Sequence, residues 1–356
     1  MRASLQSFGL AAVGRTVVGR RYGDSLCSRL TSFSVRSFET LPPVASRHRS
    51  PPGTALPPVA RTIDRLVSFS SSLVCLPGFV ADRVLRTASD GPGMSTDQFS
   101  VDGRNAIVTG ASQGIGRTIA ERFAADGANV AICSRAEERV APVAEGIRAD
   151  GGTALAVECD VRDTDAVDAF VEATVEEFGG VDLLVNNAGG EFVAAFEDIS
   201  ENGWKSIIDL NLHGTRHCTQ AAGVHMREGD GGCIVNVSSV NGQHPAPNES
   251  HYGAAKAAII RLTETLAVEW ADDGVRVNCV APGLVQTPGV AETLGIREES
   301  MPPRETVGRR IGHTEDVADV VQFLASDAAA FVTGETVTVK GVPRAGNSFD
   351  VDLGLE

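Results

Sequence analysis

The chain has 356 residues, 42% of them hydrophobic and 22% charged, with 31 Lys and Arg against 46 Asp and Glu. That length builds one large domain or two modest ones with a substantial core, and the composition excludes wholesale disorder. A net charge of −15 argues against nucleic acid or an anionic membrane surface as a partner. The seven Cys are scattered, odd in number and free of any C-x-x-C. They exclude a disulfide scaffold and the familiar zinc spacings, so a cytoplasmic protein with no bound metal is expected.

Charge divides the chain unevenly. Residues 1–93 hold 12 Arg, no Lys and 5 acids, a net of +7, which leaves 19 basic and 41 acidic residues, a net of −22, for 94–356. An acidic, Lys-poor region stays hydrated in concentrated salt, so the protein reads as halophile-like. The first 93 residues are rich in Ser, Arg and Pro and show neither helical nor strand periodicity. Their one apolar run, Leu66–Val80, is too short and too polar to span a bilayer. Arg- and Ser-rich beginnings also mark organelle transit peptides. The acidic remainder favours a start at Met94, with 1–93 a translated upstream stretch or a loose tail and 94–356 the folded domain.

From residue 102 short apolar runs alternate with helical stretches. The runs predict strands at Asn105–Val108, Val130–Cys133, Ala154–Val157, Asp182–Val185, Ile234–Val237, Val275–Val280 and Thr336–Val339. Helices are predicted at Arg117–Ala125, Thr164–Phe178 and Ala254–Trp270, among others. Buried strands alternating with helices imply an α/β fold with a parallel sheet covered on both faces. Such sheets bind ligands beyond the carboxyl ends of their strands.

The loop after the first predicted strand reads Thr109-Gly-Ala-Ser-Gln-Gly-Ile-Gly116. Glycines at 110, 114 and 116 allow a tight turn and close backbone approach, and the helix that follows offers free N–H groups to a pyrophosphate. Asp160 lies just past the third strand, where a carboxylate can accept from an adenine amine. Asn187, Ala188 and Gly189 close the fourth strand with small and amide groups. Pro282-Gly283 and Thr287 follow the sixth, where a nicotinamide carboxamide would lie.

Tyr252-Gly-Ala-Ala-Lys256 sets a phenol and an amine at i and i+4 on one helix face. A phenol with a pKa of about 10 is a poor catalyst at neutral pH unless nearby positive charge favours the phenolate. The Lys256 ammonium and an oxidised nicotinamide would both do so. Ser239 ends the fifth strand and can hydrogen-bond the same substrate oxygen, and Asn211 could hold a water against Lys256.

T-G-x-x-x-G-I-G, N-N-A-G, N-x-x-G, a strand-end Ser, Y-x-x-x-K and P-G-x-x-x-T stand here in one order over residues 102–342. Together they resemble the short-chain dehydrogenase/reductase family. The resemblance implies a single Rossmann-like domain, a doubly wound parallel sheet of about seven strands with helices on both faces, assembled as a homotetramer or homodimer. It implies hydride transfer to or from a nicotinamide between a carbonyl and a secondary alcohol. Tyr252 would be the general acid/base, Ser239 would stabilise the oxygen, Lys256 would bind the nicotinamide ribose, and Asn211 would support a proton-relay water. The cofactor set it implies is Gly110, Ser112, Gln113, Gly114, Ile115, Gly116, Ser134, Arg135, Asp160, Val161, Asn187, Ala188, Gly189, Tyr252, Lys256, Pro282, Gly283 and Thr287.

By that resemblance Ser134 stands where NAD enzymes place a carboxylate for the ribose 2′-hydroxyl. A Ser hydroxyl and the adjacent Arg135 can instead contact a 2′-phosphate, so NADP(H) is expected in preference to NAD(H). Gln113, where some NADP enzymes of the family carry a second basic residue, speaks the other way. The family's D-G-G after the last strand is replaced by Lys340-Gly-Val-Pro343, and residues 1–93 have no family counterpart. The small-molecule substrate stays open among 3-oxoacyl thioesters, sugars or polyols, and enoyl- or dienoyl-CoA, the last suggested by Asn187–Phe192 and Ile199–Trp204. A non-catalytic nucleotide-sensing protein is the rival of another class, and Tyr252 with Lys256 weighs against it. His244 and His251 read as loop residues, with lining of the pocket the alternative, and His213 and His217 as partly buried helix residues.

Overall fold

Seven parallel strands form the frame of a computed structural model that describes residues 96–295, 301–308 and 310–342. The readings made for 1–93 therefore lie outside the described residues, as does part of the segment between Thr287 and Arg309. The strands are β1 Asn105–Thr109, β2 Asn129–Ser134, β3 Thr153–Glu158, β4 Leu183–Asn186, β5 Gly232–Val237, β6 Val275–Pro282 and β7 Thr336–Val339. All seven sequence predictions fall within one or two residues of these; β6 runs two residues further than expected, so that Pro282 pairs with Val339 rather than following the strand.

The helices are α1 Gly114–Ala125, α2 Glu137–Ala149, α3 Thr164–Phe178, α4 Glu201–Ile208, α5 Gly214–Glu228, α6 Ser250–Glu269, α7 Pro288–Leu294 and α8 Thr314–Ala325. The sheet order is β3-β2-β1-β4-β5-β6-β7. Strand residues alternate between two cores because successive side chains point to opposite faces. Ala106 and Val108 join Ile119 and Phe123 of α1 and Val317, Val321 and Leu324 of α8, whereas Ile107 joins Phe170 of α3 and Cys218, Ala222 and Met226 of α5. With apolar demand on both faces, these strands read as continuous apolar runs. This is the doubly wound Rossmann-like sheet expected from the sequence.

The order reverses between β1 and β4, whose Val108 and Val185 pair in register. Crossovers leave in opposite directions there, so a crevice opens past the carboxyl ends of the two strands. Between α4 and α5 the helix widens into one π turn, Asp209–His213, which carries Asn211 into the interior. Such turns expose backbone groups that an α-helix would pair and recur at functional sites.

Candidate active site

The β1–α1 turn forms the floor of the crevice. Gly110 takes φ +65°, and a Cβ there would lie 2.8 Å from the Ala188 Cα. Gly116 is in a helical conformation, but a Cβ on it would reach within 2.3 Å of the Asn187 Nδ2. Thr109 binds the two loops together: its Oγ1 accepts from the N–H groups of Asn187 and Ala188, each at 3.0 Å. Asn187 Nδ2 donates to the carbonyls of Thr109 and Gly110 at 2.9 and 3.2 Å. Thr109 is a binding-loop residue that sequence reasoning passed over, although it stands directly before Gly110.

Gln113 precedes α1 in an extended conformation, and no side chain caps this helix. The first-turn N–H groups, those of Gly114, Ile115 and Gly116, therefore remain open to an anion. Glycine where backbone must approach a ligand, an uncapped helix start and small residues at 188 and 189 all fit a dinucleotide pyrophosphate and its riboses. Ser112 completes the turn, and Thr287 packs against it, since a Cβ on Gly114 would meet the Thr287 Cγ2 at 3.2 Å. Pro282 and Gly283 lie at the end of β6, with Lys340 pressed against Gly283.

At the far end, Ser134 closes β2 and Arg135 is exposed. The Ser134 hydroxyl donates to the Ala136 carbonyl at 2.7 Å, so its proton is already engaged. Asp160 is held by Arg162 through a forked contact of 2.9 and 2.5 Å, which sets its carboxyl below the usual range. Val161 beside it is buried against Gly214. Arg162 was not anticipated, and its place two residues after Asp160 was the available signal.

Tyr252, Lys256, Ser239 and Asn211 come together across the crevice. Tyr252 and Lys256 share α6, with the Lys256 Nζ 5.5 Å from the phenol ring centre. Lys256 is buried, and its Nζ donates to the Val237 carbonyl at 2.9 Å. A Cβ on Gly189 would lie 3.3 Å from this Nζ and 2.8 Å from the Asn211 Oδ1, so the missing side chain leaves Lys256 and Asn211 a common space. The Asn211 Nδ2 is committed to the carbonyls of Gly190 and Ile207 at 2.8 and 3.0 Å. Ser239 stands two residues past the end of β5, rather than on it, and hydrogen-bonds Tyr252.

The electrostatics correct one expectation. Burial strips water from the phenol and pushes the Tyr252 pKa up, Glu191 and Glu249 push it further, and the Ser239 hydrogen bond only partly opposes them. Lys256, whose own pKa burial lowers to about 8, stays largely protonated at neutral pH but does not outweigh these effects. The chain alone therefore holds Tyr252 as a protonated acid. Glu191, whose carboxyl is raised by desolvation and by its hydrogen-bonded neighbour Glu249, was also missed. It lies 58 positions from Glu249 in sequence, so no local pattern joins the two.

The histidine readings need two corrections. His251 is no loop residue: it is the second residue of α6, fully buried, with its ring 4.3 Å from that of Phe192. His213 is exposed on the π turn and bonds Asp209 at 3.0 Å. His217 is half-buried on α5 and His244 sits in an exposed loop. Among the described residues no three His, Cys, Asp or Glu side chains converge as a metal-holding group.

The family model described as enoyl-(acyl carrier protein) reductase matches residues 110–341. This chain belongs to the short-chain dehydrogenase/reductase family. The enzyme is 42% identical over 243 residues to cis-4-hydroxycyclohexanecarboxylate dehydrogenase of Sinomonas cyclohexanicum, spanning 67% of this chain and 95% of the relative. A 3-oxoacyl-[acyl-carrier-protein] reductase of Staphylococcus aureus is 39% identical over 67% of this chain and 97% of its own. Among solved structures, a 7α-hydroxysteroid dehydrogenase complexed with NADH and 7-oxo glycochenodeoxycholic acid superposes with a TM-score of 0.64. It is 31% identical and covers 70% of this chain and 97% of that one. The oxidoreductase therefore shares its fold and class with dehydrogenases and reductases, and family membership implies NAD(P)-dependent exchange between a carbonyl and an alcohol.

Proposed function

We propose that the enzyme interconverts a carbonyl and a secondary alcohol with Tyr252 as general acid/base. The observation that carries this is one constellation: a half-buried Tyr252, hydrogen-bonded by Ser239 and backed by Lys256, facing a glycine cradle suited to a dinucleotide. A nicotinamide dinucleotide, when bound, supplies or accepts the hydride. Gly110, Gly114 and Gly116 with the α1 N-terminus hold its pyrophosphate, Asp160 and Val161 border the adenine, and Asn187, Ala188 and Gly189 line its path. Pro282, Gly283 and Thr287 receive the carboxamide. Lys256 binds the nicotinamide ribose, Ser239 donates to the substrate oxygen, and in reduction Tyr252 delivers its proton there. Asn211 shapes the space for a relay water beside Lys256.

The expected phenolate requires positive charge from the oxidised cofactor, since the protein alone favours the phenol. Tyr252→Phe keeps the ring and removes the proton. Turnover in a carbonyl panel should then fall at least about a hundredfold, the lower range for acid–base catalysis, with NADPH binding retained. Near-normal turnover would overturn the mechanism.

NADP(H) is the preferred cofactor in this reading, with NAD(H) second. Support comes from the missing carboxylate at the end of β2 and from exposed Arg135, which carries more of the contact because the Ser134 proton is engaged. The substrate is a 3-oxoacyl thioester, as the reductase relative suggests, or a sugar or polyol, as a 37% identical relative described as glucose 1-dehydrogenase 2 from Bacillus subtilis suggests. A C=C reductase is the second reading, favoured by the family model's description and by a 34% identical relative described as a probable 2,4-dienoyl-CoA reductase from Bacillus subtilis. Comparing crotonyl-CoA with acetoacetyl-CoA separates the two. Residues 94–356 form the catalytic domain. Half-exposed Val224 on α5 and more exposed Val268 on α6 suit a homodimer or homotetramer, and the buried free thiols of Cys133, Cys159, Cys218, Cys233 and Cys279 suit a reducing cytoplasm.

A further inference from the structure

Ser239 does not stand alone. Its Oγ accepts from the Asn241 N–H at 3.1 Å, and its carbonyl accepts from the Gly242 N–H at 2.9 Å, so the residue opens a short 3-10 turn. A hydroxyl has one proton and two lone pairs; occupying a lone pair with a fixed donor directs the proton elsewhere, here toward the crevice. Asn241 is itself held, because its Nδ2 donates to the Glu249 Oε2 at 2.5 Å. The turn is pressed on α6: a Cβ on Gly242 would lie 2.7 Å from the Lys256 carbonyl carbon.

Glu249 is placed with equal care. The Gly253 N–H bonds its carbonyl at 2.8 Å, and Asn248 before it takes φ +66°, the one positive φ outside glycine among the described residues. The Asn248 carbonyl accepts from the Ala194 N–H at 2.9 Å, tying this turn to the loop that follows Gly189. Left-handed backbone at a non-glycine residue persists only where the surroundings over-determine it, and it clusters at working sites. Asn tolerates it best among the ordinary residues.

We propose that Glu249 is a positioning residue for Ser239: its carboxylate holds Asn241, and the Asn241 N–H fixes the Ser239 hydroxyl so that its proton points at the oxygen Tyr252 serves. This rests on the roles proposed above for Ser239 and Tyr252. The charged groups around the phenol are Glu191 and Glu249, which disfavour the phenolate, with Lys256 on the same helix and His251 buried one residue away. Glu249 therefore acts twice, by geometry on Ser239 and by charge on Tyr252.

The two actions separate in steady-state kinetics and pH profiles. Glu249→Ala should lower kcat about tenfold with KM within about twofold, the scale of one charge-assisted hydrogen bond. Glu249→Gln keeps an acceptor for Asn241 and should restore kcat to within about threefold of wild type. Because it removes a negative neighbour of the phenol, it should move the limb of the oxidation profile governed by Tyr252 to lower pH. In a Ser239→Ala background, Glu249→Ala should change kcat by less than about twofold, since residues acting through one group are not additive. If Glu249→Ala fails to fold, Asn241→Ala breaks the same link from the other side and carries the same comparison.

A full tenfold loss in the Ser239→Ala background, or wild-type kcat in Glu249→Ala, overturns the positioning role and leaves the general mechanism standing. Wild-type turnover in Ser239→Ala itself overturns both.

Discussion

Gly116 offers a sharp perturbation because its constraint is spatial rather than conformational. A Cβ at 116 would fall 2.3 Å from the Asn187 Nδ2 and 2.7 Å from the Gly110 carbonyl oxygen, too close for either to stay. Asn187 must swing away, losing its hydrogen bonds to the carbonyls of Thr109 and Gly110 at 2.9 and 3.2 Å. Two such bonds are worth about 1 kcal/mol each net. Overpacking adds roughly 1–3 kcal/mol, and the better helix propensity of Ala returns about 1 kcal/mol. Gly116→Ala should therefore destabilise by about 2–4 kcal/mol, a fall in Tm of roughly 5–12 °C for a domain of this size.

The same displacement moves the loop against which Gly110 meets Ala188, so the Kd for NADPH should rise at least about tenfold. Gly146→Ala is the control. Gly146 lies in α2 with open space where its Cβ would go, and the substitution should stabilise by about 0.5–1 kcal/mol. Thermal unfolding by calorimetry and NADPH titration by fluorescence read both effects. A Gly116→Ala enzyme that melts with the wild type and binds NADPH equally well would refute the steric reasoning.

Ser134→Asp should shift preference from NADP(H) toward NAD(H), measured as the ratio of kcat/KM for the two; a wild-type enzyme that already favours NAD(H) overturns the assignment. Lys256→Met should abolish turnover while raising stability by about 2 kcal/mol at pH 7, because the buried ammonium carries a desolvation cost that the hydrogen bond to Val237 only partly offsets. Between about pH 8, the folded value, and the ordinary lysine range, the unfolded chain holds a proton that the folded chain has released. Wild-type stability therefore rises with pH there and the advantage of the variant closes; a pH-independent difference in urea unfolding would contradict this. A chain beginning at Met94 should fold and remain active, because 1–93 lack the periodicity of packed elements; an insoluble or inactive product would give that segment a structural part.

The inner strands were legible in the sequence because a parallel strand buried on both faces must be mostly apolar, and the partly exposed edge strands β3 and β7 showed through their Val, Leu, Ala and Thr. Val108 and Val185 could be placed in strands without knowing that they pair. The glycines at 110, 114 and 116, and the i, i+4 pair Tyr252 and Lys256, were equally plain, since each constraint acts within one turn of backbone. Tertiary structure alone decided what depends on packing between distant segments. Glu191 and Glu249 meet only because two loops converge on the crevice, and no period connects them. Burial determined that Tyr252 stays protonated and that Lys256 falls to about 8, since desolvation is a property of the surroundings rather than of the residue. The Ser134 hydroxyl, free in principle, is spent on the Ala136 carbonyl, and the π turn that buries Asn211 has no signature in the residues Asp209–His213. The chain's order of residues named the chemistry; the folded environment decided each group's protonation and partners.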